Sequence, residues 1–353
     1  MFIIDFDDTL FDTQRFKLTL NQALVDCGVS AEDAEWSYKA AYNTEDGKFA
    51  HSNKRRAEFL AQRGHEQAKI LTALEKVSEP QSLQTHLLPG AIEFLESLRA
   101  LGQPLILLSL GDPDFQELKV RGSGIHDYFD RLFMVNDTKE KVVGELIAHH
   151  EPVEYWFIND KVGETLSVLT KYPQIRPLLK MSARISLDEY EKSGLLYFAD
   201  LIEMSNYIRG AEPRHESAGA LVYRNLQQPE VIVMRRVENN TLHLPKGTLE
   251  KEESKEAAVL REIKEETGVD CVLKQYLISV PSTFFRNNRP REKITHYYVA
   301  EYVGGELQST DNEHDEVFWL PIKEAVREFS EHGAHLKLGF ENECKVLEKY
   351  SLL

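Results

Sequence analysis

The first thirteen residues, "MFIIDFDDTLFDT" (1–13), place Phe2, Ile3 and Ile4 directly before the carboxylates of Asp5, Asp7 and Asp8. An apolar run without polar alternation reads as a parallel strand covered on both faces. Carboxylates at the end of such a strand need partners, because an unpaired buried charge is costly. A plain turn in which Asp7 or Asp8 caps a helix accounts for them locally. A phosphoryl-transfer site accounts for them equally well, and the choice rests on what the rest of the chain brings to the same strand edge.

From about Gln14 to Gln84 the apolar residues recur at helical spacing, and pieces such as "RFKLTLNQALVDCG" (15–28) stop at Gly28, a natural helix end. Helices and strands then alternate: "PGAIEFLESLRALG" (89–102), "PLILLSL" (104–110), "DPDFQELKV" (112–120), "RLFMV" (131–135), "KEKVVGELIAHH" (139–150) and "VEYWFIND" (153–160). That alternation predicts a parallel sheet with right-handed crossovers. In such a sheet, ligands bind at the carboxyl ends of the strands. Those ends carry Asp5, Asp7 and Thr9, then Ser109, then Lys139 or Lys141, then Asp160 with Glu164 one helical turn on. Singly, each has an ordinary structural explanation. Together they bring a hydroxyl, an amine and several carboxylates to one edge.

This order and spacing resemble the haloacid dehalogenase superfamily of phosphatases over roughly residues 1–210, with "DFDDTL" (5–10) the most specific part. The resemblance implies a Rossmann-like α/β core with a helical cap at about 14–85. It also implies that Asp5 attacks phosphorus, Asp7 handles the leaving-group and water protons, Ser109 holds phosphoryl oxygens and Lys139 offsets their charge. Mg²⁺ would sit between Asp5, the Asp7 carbonyl and Asp160. A carboxylate nucleophile and a second proton-handling carboxyl suit a two-step hydrolysis. Lys139 is preferred over Lys141 because it leaves Val142, Val143 and Leu146 to pack. A cap over the site favours small phosphorylated substrates.

The segment "YIRGAEPRHES" (207–217) breaks periodicity with Gly210, Pro213 and several charges, and predicts a linker centred on 211–215. Beyond it, "SAGALVY" (217–223) and "EVIVMRRV" (230–237) read as strands of a second domain, 216–353. In "GTLEKEESKEAAVLREIKEETGV" (247–269), Gly247, Glu253, Arg261, Glu262, Ile263, Glu265, Glu266, Gly268 and Val269 occupy every fixed position of the Nudix box. On a helix Glu262 shares a face with Glu265 and Glu266, and like charges so spaced oppose the helix by about 0.2–0.5 kcal/mol per pair unless a cation relieves them. Val259, Leu260 and Ile263 are expected to anchor the neighbouring face.

The resemblance to Nudix hydrolases implies an α/β/α sandwich with a mixed sheet that acts on a nucleoside diphosphate linked to another group, or on a dinucleoside polyphosphate. It implies Mg²⁺, with Mn²⁺ as a substitute, held by Glu262, Glu265 and Glu266, and Arg261 orienting the carboxylates. A further glutamate outside the box is expected from "DNEHDEVFWLP" (311–321), Glu313 before Glu316. Arg235, Lys246 in "LHLPKGTLE" (242–250), and Phe285, Arg286, Lys293 and Tyr297 in "FFRNNRPREKITHYY" (284–298) are the candidate substrate contacts. Aromatics there would stack a base and cations would hold phosphates. An edge hairpin with alternate residues buried is the competing explanation.

At 353 residues the chain exceeds what one core usually supports, which agrees with two domains. A formal net charge of -16 argues against broad nucleic-acid binding, and the chain shows no apolar run of membrane-spanning length. Three widely spaced cysteines, Cys27, Cys271 and Cys344, fit a reducing cytoplasm and form no metal-ligand spacing. The expected partners are therefore small phosphorylated or nucleotide substrates. The alternatives are a silent domain acting as a ligand-binding regulator of the other, or processing of RNA 5′ ends. Oligomeric state is not encoded in these patterns.

Overall fold

The computed structural model describes residues 1–42, 51–136, 138–149, 154–238, 240–287, 289–308, 316–333 and 342–352. They form two compact units, 1–185 with 197–211, and 186–196 with 212–353. Among them no helix is long and apolar enough to cross a membrane.

The first unit is built on β1 (Phe2–Ile4), β2 (Leu105–Leu110), β3 (Arg131–Val135), β4 (Tyr155–Asn159), β5 (Ile175–Lys180) and β6 (Leu196–Phe198), in the order β3-β2-β1-β4-β5-β6. The pairs from β3 through β5 are parallel. Phe2, Ile3 and Ile4 are 0% exposed, as a central strand covered on both faces requires. The chain adds β2 and β3 on one side of β1 and then crosses to add β4, β5 and β6 on the other, so the crevice at the carboxyl end of β1, where the order reverses, is the place for a ligand. Five helices, Thr13–Asp26, Ala31–Tyr42, Asn53–Gln62, Gln67–Val77 and Pro80–Gln84, fill the described part of the stretch read as wholly helical. Asp12 caps the first by accepting from the Arg15 N–H, and Gly28 follows it at φ 90°, which favours glycine.

The second unit holds β7 (His215–Arg224), β8 (Glu230–Arg236), β9 (Thr241–His243), β10 (Lys246–Thr248), β11 (Val269–Arg286), β12 (Arg289–Gly305) and β13 (Glu316–Pro321). The order is β11-β12-β7-β8-β13, with β10 on β7 and β9 on β8; β12 runs parallel to β7 and the remaining pairs are antiparallel. The helix Lys255–Thr267 lays Ala258, Val259 and Ile263 on Ala218, Ala220 and Val222. The opposite face of the sheet packs Leu221, Val231 and Val233 against Ala325, Phe329, Val346 and Leu347 of two later helices. The result is an α/β/α sandwich on a mixed sheet.

Two local expectations are corrected. Leu260 is 39% exposed, because Ala258 rather than Leu260 completes the apolar stripe that meets the sheet. The irregular segment is shorter than its sequence suggests: the helix Leu201–Arg209 runs through "YIR", capped by Asp200, and β7 already begins at His215.

Residues 186–196 pack within the second unit. The Thr283 hydroxyl donates to the Gly194 carbonyl at 3.1 Å, and a Cβ on Gly194, which sits at φ +74°, would stand 2.6 Å from the Pro281 carbonyl oxygen. A fragment spanning 186–353 should therefore resist limited proteolysis and urea better than one spanning 212–353. Equal resistance of the two fragments would show that the 186–196 segment contributes nothing to that unit.

Candidate active sites

Asp5 closes β1 at 3% exposure, and the Lys139 ammonium, on the first residue of the helix Lys139–His149, lies 2.6 Å from its Oδ1. Lys139 also meets Glu164 Oε2 at 3.1 Å and donates to Asn159 Oδ1 at 3.1 Å, so it is fixed from three sides. Burial pushes the Asp5 carboxyl up, and Lys139 pulls against that shift. Asp160, 1% exposed at the end of β4, is pushed up to about 7 by burial and by the Asp5 charge. Ser109 is fully buried on β2, and among the described residues its Oγ has no hydrogen-bond partner. Buried hydroxyls ordinarily find one, so this is a donor waiting for an oxygen. The structure thus brings Asp5, Lys139 and Asp160 together at the strand ends, with Ser109 next to pocket-lining Leu110 and Gly111.

Asp7 is held by residues that the sequence pattern did not single out. Its Oδ1 accepts from Lys119 Nζ at 2.5 Å and from Thr13 Oγ1 at 2.5 Å, and its Oδ2 accepts from Gln116 Nε2 at 2.7 Å. Burial alone would push this carboxyl up, but Lys119 and the three hydrogen bonds outweigh it and hold Asp7 below the usual carboxylate range. Asp8, at φ 57°, turns away to pair with Arg184 at 3.3 Å. A cavity of about 190 Å³ is lined by Asp5, Asp7, Lys119, Lys139, Tyr38 and His51 among others. Burial pulls the His51 imidazole down to about 3, so it stands neutral in that wall.

In the second unit Arg261 organises the box. Its Nε and Nη2 each donate to Glu253 at 2.9 Å, Nη1 to Glu262 at 2.6 Å and to Glu265 at 3.1 Å, and Nη2 to the Thr248 carbonyl at 3.1 Å. Hydrogen bonds from Arg261 lead the causes that hold Glu253 down at about 2. Burial pushes Glu262 up, against the pull of Arg261. Gly247 makes room for Glu262: a Cβ there would fall 1.9 Å from the Glu262 carboxylate, which would have to move. Glu266 accepts from the Lys246 backbone N–H at 2.8 Å.

The other expected contacts divide. Lys246 turns its ammonium to Glu343, 2.9 Å away and 1% exposed, which also accepts from the Leu244 N–H and the Tyr297 hydroxyl. Nothing in the sequence around Glu343 marks it for this role. Tyr297 corrects the expectation of a stacking surface: it is 0% exposed in the core, since alternate residues of β12 face inward. Arg235 pairs with Glu316 at 3.5 Å and lies over the Phe318 ring. Phe285 and Arg286 are exposed at the β11–β12 turn, and Lys293 is half-buried on β12. Gly247 is in register with Ala218 and hence with His296, whereas Phe285 pairs with Pro290. Six residues of strand separate those levels, about 20 Å, so the turn is not part of the box. Glu313 lies outside the described residues.

No metal-caging group of three His, Cys, Asp or Glu side chains occurs among the described residues. The donors still suit a hard cation: oxygen-only carboxylates, with Asp5 and Asp160 destabilised by burial, and the Glu262 carboxylate lying where a side chain on Gly247 would stand. Mg²⁺ typically uses one or two protein carboxylates, with waters and substrate phosphates supplying the rest. Gly247→Ala should leave the fold intact yet displace Glu262. Mn²⁺ affinity of the second unit, read by electron paramagnetic resonance, should then fall about tenfold, and unchanged affinity would remove Glu262 from the cation site.

Residues 1–154 match the haloacid dehalogenase-like hydrolase family, and residues 213–338 match the NUDIX domain. A protein designated MutT4 of Mycobacterium tuberculosis is 35% identical over 118 residues, 31% of this chain and 48% of that protein. An 8-oxo-(d)GTP phosphatase of Mycolicibacterium smegmatis is 29% identical over 144 residues, 38% of this chain and 40% of that protein. The chain thus spans less than half the length of these two curated relatives. A protein of Burkholderia xenovorans LB400 described as haloacid dehalogenase-like superposes with a TM-score of 0.47 at 18% identity, over 58% of this chain and 94% of its own.

Proposed function

Because the chain joins a haloacid dehalogenase-like hydrolase domain to a NUDIX domain, we propose that it is a bifunctional, metal-dependent hydrolase of phosphate compounds, with domains at about 1–210, apart from the 186–196 segment that packs with the second unit, and 216–353. The first half would dephosphorylate a small phosphomonoester through an aspartyl-phosphate on Asp5. The second would cleave a nucleoside-diphosphate-linked or dinucleoside polyphosphate substrate. What carries the phosphatase reading is the buried, unpartnered Ser109 hydroxyl on the strand beside β1, where Lys139 stands 2.6 Å from Asp5. A phosphoryl group supplies the missing acceptor, Lys139 offsets its charge, and Asp5 is the nucleophile. Asp7 exchanges protons with the leaving oxygen and with water. A bound Mg²⁺ would neutralise phosphate charge at Asp5 and Asp160 and polarise the diphosphate at Glu262, Glu265 and Glu266. The nucleotide substrate of the M. smegmatis relative supports a nucleotide for the second half.

The test is a screen of phosphorylated metabolites and nucleotide diphosphates with Mg²⁺, reading phosphate and nucleotide products. Asp5→Asn should abolish phosphate release from monoesters and leave diphosphate cleavage intact. Glu266→Gln should do the reverse, by at least about a hundredfold, since each removes a charge from one site alone. Loss of both activities in either variant would refute two separate sites. Turnover unaffected by chelation would refute the metal.

A further inference from the structure

The stretch "GDPDFQELK" (111–119), which follows β2, makes contacts that the roles of Asp5, Ser109 and Lys139 do not explain. Its helix, Pro113–Gly122, is N-capped by Asp112, and Gln116 and Lys119 lie one turn apart on the same face. Both reach Asp7. Gly111 makes room for the approach, because a Cβ there would stand 2.2 Å from Gln116 Nε2. Lys119 is 3% exposed, and its ammonium lies 5.3–5.6 Å from the ring centres of Phe6, Phe11 and Phe115. Its ion pair among the described residues is with Asp7, at 2.5 Å. Lys139, by contrast, faces Asp5 and Glu164. The pocket wall therefore carries two buried lysines, Lys139 for Asp5 and Lys119 for Asp7.

We propose that Lys119 is a positioning residue for the second half of the phosphatase reaction: with Gln116 and Thr13 it holds the Asp7 carboxylate in place to accept the proton of the hydrolytic water. In that half-reaction water oxygen bonds to phosphorus as the bond from phosphorus to Asp5 oxygen breaks. Inorganic phosphate leaves, Asp5 returns as a carboxylate, and the water proton passes to Asp7. Three donors on the two oxygens of Asp7 leave its carboxylate little rotational freedom, which is what a base of fixed direction requires. The proposal rests on the aspartyl-phosphate reading of Asp5.

The experiment uses the full chain with Mg²⁺ and p-nitrophenyl phosphate, whose leaving oxygen needs no proton, so kcat/KM reports phosphorylation and kcat can report dephosphorylation. Lys119→Met should lower kcat about a hundredfold and leave kcat/KM within about threefold. It should also release a burst of p-nitrophenol stoichiometric with enzyme and accumulate phosphoenzyme. Equal losses in kcat and kcat/KM without a burst, or no change at all, would overturn it. Thr13→Val removes a donor from the same Oδ1 and should give the same split, smaller in size, should Lys119→Met fail to fold. Asp5→Asn and Asp7→Asn separate the premises. Turnover by Asp5→Asn sinks the aspartyl-phosphate itself, whereas a burst in Asp7→Asn that is absent from Lys119→Met sinks only the role of Lys119.

Discussion

Carboxylates withdrawn from water must be partnered, and in the first unit the partners are cations brought in from other parts of the chain. Asp5 and Asp7 leave β1 side by side, and each meets its own buried lysine, Lys139 at 2.6 Å and Lys119 at 2.5 Å. Removing one member of a buried pair leaves the other uncompensated, at a cost of about 3–5 kcal/mol. That cost explains why the helices after β2 and β3 carry a lysine toward the crevice at positions that their own amphipathic pattern would not require. The parallel sheet is then a device for convergence: it ends four strands at one level, so residues far apart in the chain reach a common point.

The second unit solves the same problem locally. Arg261 sits within the acidic helix and donates to Glu253, Glu262 and Glu265, relieving the like-charge spacing from inside the motif. The Lys246–Gly247 segment meets that helix through its backbone, which explains the glycine: the Glu262 carboxylate occupies the place of a side chain. Glu343 holds the same segment from the opposite side, through Lys246, Leu244 and Tyr297. The box is thus gripped between its own helix and a glutamate near the far end of the chain.

These two solutions explain which residues were legible in advance. Arg261, Glu262, Glu265 and Glu266 were readable because a helix converts spacing into a shared face without help from the rest of the fold. Asp5, Ser109, Lys139 and Asp160 were readable one level up, since alternating strands and helices imply one sheet and one sheet has one ligand edge. The hairpin failed that reasoning. Its alternation of aromatics and cations is equally the alternation of a strand, and pairing with β7 buried Tyr297 while leaving Phe285 beyond the box.

The sequence by itself determined the two α/β folds, the strand-end carboxylates and the shared acidic face of the helix Lys255–Thr267, because each follows from a period, a spacing or a chain order. Only the tertiary structure decided that Lys119 serves Asp7 across 112 residues, that Arg184 serves Asp8 across 176, and that Glu343 serves Lys246 across 97. It also decided that residues 186–196 belong with the second unit. A counter-charge is selected by its distance in space and by the loss of solvent around it, and neither quantity has a signature in local order along the chain.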